Sequence, residues 1–228
     1  MEKPNSPLYL TTLEVIANIL IRLWLVIGVL MANNNSQSIL DSLLFTASNQ
    51  WGISKEQIME NMNKIAFHES KGNPSAIQKS DKTKSGIGPG RGLFQFEVGG
   101  EQGAHTAINR LTAQIEKMNK EEGVNIALPG FIQEMKDLEG KNIDAWDSAG
   151  YDVSVLSPEQ QQMMFLGNLL QMPHKKGEGY GKASFAGIDT DEELAEYWAQ
   201  YHQAGTKPGT DEYDRMLDKF TEDVQFYK

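Results

Sequence analysis

The sequence contains no cysteine among its 228 residues. This absence excludes disulfide frameworks, thiolate zinc sites and cysteine nucleophiles. It leaves the compartment open, because a chain without cysteine tolerates both reducing and oxidising surroundings. The length allows one well-buried domain or two small ones, and the hydrophobic content of 39% is ordinary for a globular protein.

Clusters of basic residues are also missing. The chain has 21 lysines and arginines against 31 acidic residues, which gives a formal net charge of -10. The acidity lies in residues 115–228, whereas residues 32–114 are close to neutral. Because nucleic-acid binding needs a basic patch, we expect no nucleic-acid partner.

Signatures of metal and phosphate sites are absent as well. The four histidines show no metal-ligand spacing such as His-Glu-x-x-His; they are His68, His105, His174 and His202. The glycine-rich run GIGPGRG, residues 86–92, lacks the Gly-Lys-Ser/Thr of a phosphate loop and opens no dinucleotide-type unit. We therefore expect neither a metal nor a cofactor.

The chain has one long hydrophobic segment, and polar residues interrupt it. Residues 13–31 read LEVIANILIRLWLVIGVLM, 19 residues that are just long enough to cross a bilayer. Glu14, Asn18 and Arg22 are spaced by four and so form one polar stripe on an otherwise apolar helix. An arginine near the centre of a span costs about 2.5–3.5 kcal/mol on insertion scales.

Three interpretations of this segment stay open. It is a membrane anchor or a helix inserted beside partner helices, or it is a helix buried in a protein assembly. Otherwise it is a signal peptide cleaved near Ala32, or upstream sequence ahead of a true start at Met31. The third version lacks the positive excess of a signal peptide. Residues 33–38, NNNSQS, are typical of a polar linker. We therefore predict a hydrophobic N-terminal helix over residues 1–32 and a separate domain over residues 33–228.

The remainder is predicted to be mainly helical, with little β-structure. Ser54 with Gln57, and Thr190 with Glu193, have the spacing of capping boxes at helix starts. The glycine-rich residues 85–103 cannot form a helix. Apolar periodicity and stop signals predict helices near residues 37–51, 54–71, 104–122, 157–172, 190–201 and 211–226.

Glu69 stands out within the second of these helices. Ile58, Met62, Ile65 and Glu69 share one helix face, which the apolar residues mark as the core side. Burial and the negative end of the helix dipole both disfavour a carboxylate, so both raise its pKa toward the range of a general acid. The alternative is a glutamate that reaches solvent where the helix ends, and the pattern alone leaves both open.

Three short motifs occur in order along the chain. Residues 65–80, IAFHESKGNPSAIQKS, combine a helix end at Glu-Ser with an Asn-Pro turn. Residues 92–96 read GLFQF, and residues 201–205 read YHQAG on a late helix. Together they resemble the motifs of lytic transglycosylases and goose-type lysozymes, whose second motif is Gly-Leu-Met/Phe-Gln and whose third is Ala-Tyr-Asn-Ala-Gly.

The resemblance implies a lysozyme-like fold, α+β with minimal β, and makes Glu69 the catalytic acid. By position it also implies the substrate-binding residues, which are Ser70, Gln95, Phe96, Tyr201, His202 and Gln203. His202 and Gln203 depart from the family, which has tyrosine and asparagine there. Residues 120–190 exceed a minimal family domain, and we predict an insertion there that shapes the groove or docks a partner.

Other residues near the motifs have simpler interpretations. We expect at least one of Phe94 and Phe96 to pack in the core. Arg91 either pairs with carboxylates of the substrate or is an exposed loop arginine. No second acid pairs convincingly with Glu69, since the nearby aspartates are expected to be solvated; these are Asp81, Asp144, Asp147 and Asp152.

The function that the resemblance implies is cleavage of peptidoglycan between N-acetylmuramic acid and N-acetylglucosamine by a single glutamate, which gives 1,6-anhydro ends. Two alternatives remain: a goose-type muramidase, in which an aspartate positions water, and a non-catalytic component of a phage particle or envelope machine. The expected partner is the glycan strand, with residues 13–31 contacting a membrane or virion protein. The expected location is a phage virion or the periplasmic side of a bacterial envelope.

Overall fold

The computed structural model of the protein describes residues 38–81, 86–98, 103–121, 123–136, 152–172, 184–202 and 208–227. All of them except Ser38 belong to one compact unit, Ile39–Lys228. The hydrophobic segment at residues 13–31 lies outside the described residues. Inside them, we find no helix that is both long enough and apolar enough to cross a membrane.

The described part of the chain is mainly helical, as predicted. The α-helices are α1 (residues 38–51), α2 (Lys55–Ser70), α3 (Ala104–Glu121), α4 (Gly130–Lys136), α5 (Pro158–Leu170), α6 (Asp191–His202) and α7 (Asp211–Gln225). A 3₁₀ turn at Val153–Val155 precedes α5. The predicted helices are confirmed to within a few residues at each end.

A small antiparallel sheet follows α2 directly. Its strands are β1 (Ile77–Lys79), β2 (Ile87–Arg91) and β3 (Phe96–Glu97), in that order. Arg91 of β2 lies opposite Ile77 on one side and Phe96 on the other. Within the glycine-rich residues 85–103, the described residues 86–98 are therefore non-helical, as predicted, and contain β2 and β3.

The two predicted capping boxes have different outcomes. In α6 the box is complete: the Glu193 N–H donates to Thr190 Oγ1 at 3.2 Å, and the Thr190 N–H donates to Glu193 Oε2 at 3.0 Å. In α2 the Ser54 hydroxyl accepts from the Gln57 N–H at 3.1 Å. The reciprocal half predicted there is wrong, because the Gln57 side chain instead donates to the Ile188 carbonyl at 3.0 Å. A tertiary contact has replaced the local one.

The core forms where α3 and α5 cross. Gly167 of α5 allows this approach, since a Cβ there would lie 2.7 Å from Leu111 Cδ1 and 2.9 Å from its Cα. Residues 120–190, which the sequence predicts as an insertion, thus contain a helix of the core. The predicted apolar face of α2 is confirmed, because Ile58, Met62 and Ile65 are fully buried.

Gln161 of α5 is a fully buried polar side chain that joins three loop segments. Its Oε1 accepts from the Leu93 N–H at 2.7 Å. Its Nε2 donates to the carbonyls of Pro74 and Leu156, both at 2.9 Å. Buried backbone groups need such partners, so this one amide satisfies three segments that lack regular hydrogen bonding.

Gly92 lies against this amide, and we predict that it tolerates no side chain. Its φ is +74°, and a Cβ would lie 2.2 Å from Gln161 Oε1. Left-handed strain and overpacking together should cost Gly92→Ala roughly 3 kcal/mol of the free energy of unfolding, measured by urea denaturation. Gly52→Ala is the control, because Gly52 has φ +73° with no atom within 4 Å of the added Cβ, and should cost about 1 kcal/mol. Equal losses would contradict this packing.

Candidate active site

Glu69 lies in the last turn of α2. The helix ends at Lys71, which takes the left-handed conformation with φ 56°. The N–H groups of Lys71 and Gly72 donate to the carbonyls of Phe67 and Ala66, at 2.8 and 3.3 Å. This closure places the Glu69 side chain beside the carbonyl end of the helix, where a negative charge is disfavoured.

The Glu69 carboxyl group is partly buried and is held by a tryptophan. Trp198 Nε1 of α6 donates to Glu69 Oε1 at 2.7 Å, and the Trp198 side chain is only 4% exposed. Burial raises the pKa of Glu69 from its ordinary value of 4.5 to about 7, against the smaller lowering effects of the Trp198 N–H and the charge of Lys219. Near neutral pH this group therefore exists in both its protonated and its charged form.

His68, the residue before Glu69, is neutral at neutral pH. Its Nδ1 lies 2.8 Å from Asp223 Oδ2 of α7. Burial lowers the pKa of His68 to about 4 and outweighs the opposing effect of Asp223, while the charges of Lys219 and Lys71 lower it further. The Asp223 carboxylate is also paired with the Lys71 ammonium. His68 thus adds no positive charge beside Glu69.

An aromatic cluster from three helices fixes the position of Trp198. The Trp198 ring packs edge-on to His68, with centroids 4.4 Å apart, and lies 5.3 Å from Phe220 of α7. His68 and Phe220 are 4.8 Å apart. Phe220 and Val224 of α7 are both buried. The hydrogen bond to Glu69 is therefore held by packing around the indole.

The Ser70 side chain makes a hydrogen bond within α2, and its predicted contact with substrate stays a prediction. Its hydroxyl donates to the Ala66 carbonyl at 2.9 Å, within α2. This is the local bond that serines commonly make near a helix end. In this structure Ser70 stabilises the last turn of the helix that carries Glu69.

The second motif forms the tight connection between β2 and β3. Gln95 has φ 47°, and its Nε2 donates to the Gly92 carbonyl at 2.8 Å. Phe94 stacks on Phe165 of α5 at 4.1 Å, and Phe96 packs edge-on to Phe94 at 6.1 Å. The expectation that at least one phenylalanine packs in the core holds for both. Phe96 is only 7% exposed, so most of its ring packs in the core, and its contact with substrate stays a prediction.

The third motif begins on the helix that carries Trp198. Tyr201 lies three residues after Trp198, and positions three apart are neighbours on a helix surface. Its ring is partly buried against Tyr197 at 4.8 Å. His202 ends α6, but its side chain and all of Gln203 lie outside the described residues. The described start of this motif therefore lies one helical turn after the residue that binds Glu69.

Arg91 is held by its own loop. Its Nη1 donates to the carbonyls of Gly88 and Gly90, at 2.5 and 2.9 Å, and its Nε lies 3.8 Å from Asp152 Oδ2. Asp152 in turn accepts from the backbone N–H of Ser154 at 3.0 Å and caps the 3₁₀ turn. Neither interpretation of Arg91 from the sequence describes this role.

Among the described residues, neither Asp81 nor Asp152 pairs with Glu69. Asp81 is exposed at the end of its described segment, whereas Asp144 and Asp147 lie outside the described residues. Across the described ranges, we find no group of three or more histidine and carboxylate side chains arranged to hold a metal ion.

Sequence reasoning missed Trp198, Asp223 and Gln161. A buried tryptophan needs an acceptor for its N–H and a buried glutamate needs a donor, so each was a signal. Nothing in the sequence indicates that two residues 129 positions apart would pair.

Comparisons of the chain with protein-family models, with curated proteins and with solved structures found no match. The likeness of the three motifs to a known family therefore rests on the residues themselves.

The raised pKa of Glu69 makes stability depend on pH. Because the fold favours protonated Glu69, the contribution of this residue to the free energy of unfolding is complete below pH 4.5. It is lost as the pH rises through about 7. At about 1.4 kcal/mol per pKa unit, Glu69→Gln should be more stable than wild type by about 3 kcal/mol at pH 8.5 and nearly equal at pH 4.5. Urea denaturation at the two pH values measures this.

Glu60→Gln provides the control for that experiment. Glu60 lies on the same helix, is exposed, and pairs with Lys64 at 2.9 Å. Its loss should cost no more than about 1 kcal/mol at either pH. A difference between Glu69→Gln and wild type that is the same at both pH values would contradict the raised pKa.

Proposed function

We propose that this protein is a peptidoglycan lytic transglycosylase with Glu69 as its catalytic acid. The observation that carries the proposal is a partly buried glutamate at the end of a core helix, with a pKa raised to about 7 and its carboxyl group held by the Trp198 indole. A carboxylic acid that keeps its proton near neutral pH is the group that cleavage of a glycosidic bond requires.

The proposed reaction uses this one group twice. Protonated Glu69 donates its proton to the glycosidic oxygen as the bond from C1 of N-acetylmuramic acid to that oxygen breaks. The resulting carboxylate then accepts the proton of the muramyl 6-hydroxyl while the 6-oxygen bonds to C1. The N-acetyl group of the substrate stabilises the cationic centre between the steps. A pKa near the working pH suits both roles.

The arrangement of elements supports a lysozyme-like domain. The helix that carries Glu69 is followed at once by a three-stranded antiparallel sheet, and helices make up the rest of the described unit. The second motif turns between two of these strands, and the third begins one helical turn after Trp198. The described residues of the three motifs thus lie on elements that suit the proposed fold.

Two aspartates of the described residues already have partners, and this favours a single-acid mechanism over hydrolysis. A muramidase needs a second carboxylate to position water. Asp152 caps a turn, and Asp223 is paired with Lys71 and lies against His68. Neither is free to position water beside Glu69. The engagement of these two carboxylates supports the proposed product without water, a 1,6-anhydro end; Asp144 and Asp147 of the predicted insertion lie outside the described residues.

The setting we propose is the peptidoglycan layer, reached from a phage particle or from the periplasmic face of a bacterial envelope. Peptidoglycan strands are the partner. The polar stripe of residues 13–31 suits a helix that lies beside membrane or virion proteins.

Digestion of purified peptidoglycan, followed by mass analysis of the muropeptides, tests the proposal. Wild type and Glu60→Gln should release anhydro-muropeptides, whereas Glu69→Gln should lower the rate at least about 1,000-fold, since the amide has no proton to donate. Reducing ends that are lost in Glu69→Gln would make the protein a muramidase. No products from a folded wild type would favour a structural component.

Replacement of Trp198 tests the origin of the pKa. Trp198→Phe removes the N–H that lowers the pKa of Glu69, so the pH at which kcat/KM falls should move up by about one unit. Trp51→Phe is the control, because Trp51 packs against Phe185 at 5.6 Å and not against Glu69. A downward movement, or the same profile in both variants, would show that the indole does not act on Glu69.

A further inference from the structure

Gln161 joins the two segments that carry the proposed chemistry. Its amide nitrogen holds the Pro74 carbonyl, in the turn that leaves the Glu69 helix. Its amide oxygen holds the Leu93 N–H, two residues before Gln95. A single side chain on α5 thus joins the segment that follows Glu69 to the loop that contains Gln95.

Two further contacts make this joint exacting. The Gly92 N–H donates to the Ala76 carbonyl at 2.8 Å, which ties the loop to the same turn. The Gln161 oxygen can approach because Gly92 has no side chain. A Cβ at this position would lie only 2.2 Å from Gln161 Oε1. The loop and the amide therefore fit in one arrangement, and a shift of either moves the other.

The neighbouring glutamine has a different role. Gln162 Nε2 donates to Asn63 Oδ1 of α2 at 3.2 Å, a single side-chain contact between two helices. This hydrogen bond joins α5 to α2 and does not involve residues 86–98. The chain thus offers a matched comparison one position from Gln161.

We propose that Gln161 is the positioning residue of the active site, which fixes the loop of Gln95 relative to Glu69. This inference rests on the proposed function, because the loop must present the glycan to the acid. Gln161 is fully buried, so it acts through the loop and not by contact with the substrate. A displacement of about 1 Å between a substrate and its acid can cost on the order of 100-fold in rate.

The test compares Gln161→Met with Gln162→Met, in the full chain, on soluble peptidoglycan strands. Methionine nearly keeps the volume of glutamine but removes all three hydrogen bonds. Gln161→Met should lower kcat at least about 10-fold with a smaller change in KM, and should speed hydrogen exchange at residues 86–98. Gln162→Met should stay within about twofold of wild type on both measures.

Gln161→Glu provides the conservative variant. Between two carbonyl oxygens in a buried position the new carboxyl group stays protonated, so it keeps the acceptor for Leu93 and one donor. Its kcat and loop exchange should lie between those of wild type and Gln161→Met. This graded recovery separates positioning from a general loss of folding, which a thermal melt of each variant monitors.

Two results would overturn the inference on its own: an active wild type whose kcat is unchanged in Gln161→Met, or unchanged exchange at residues 86–98 in that variant. A folded wild type that cleaves no peptidoglycan would instead overturn the proposed function, and the positioning role with it. In that case the exchange result still decides whether Gln161 holds the loop.

Discussion

The hydrogen bond from the Trp198 indole to the Glu69 carboxyl group is the contact on which the site depends. Burial favours the neutral acid, whereas the indole N–H favours the carboxylate, and burial is the larger effect. The balance leaves a pKa of about 7, close to the working pH of a group that must both give and take a proton. His68 and Phe220 hold the indole in place, so the core of the protein sets the acidity of the group that we propose for catalysis.

Burial also decides the charge of the histidine next to Glu69. His68 adds no positive charge beside the carboxyl group, since burial lowers its pKa to about 4, and Asp223 pairs with the Lys71 ammonium. Glu69 and His68 therefore make opposite contributions to stability between pH 4 and 7. The fold loses the Glu69 contribution as the pH rises and the His68 contribution as the pH falls. The fold is therefore less stable near neutral pH than it would be without an ionisable group at this position, as is common for functional residues.

Much of this arrangement could be predicted from the sequence, because local rules govern it. The apolar face of α2, its serine cap and the Thr190 box depend on residues a few positions apart, and they appear as expected, with the exception of the Gln57 side chain. Trp198 and Gln161 could not be found in this way. Their partners lie 129 and 68 residues distant, and only tertiary packing decides which buried polar groups meet. The burial of Phe96 is a similar case, since the motif alone does not show which face of a ring is covered.

The most direct test of the account is the titration of Glu69 by NMR in protein with ¹³C-labelled glutamate carboxyl groups. The resonance that disappears in Glu69→Gln identifies the group. We predict that Glu69 titrates with an apparent pKa of about 7, well above the ordinary value of 4.5. A midpoint near 4.5 would mean that Glu69 is a solvated carboxylate at the end of its helix, which would contradict its role as the acid.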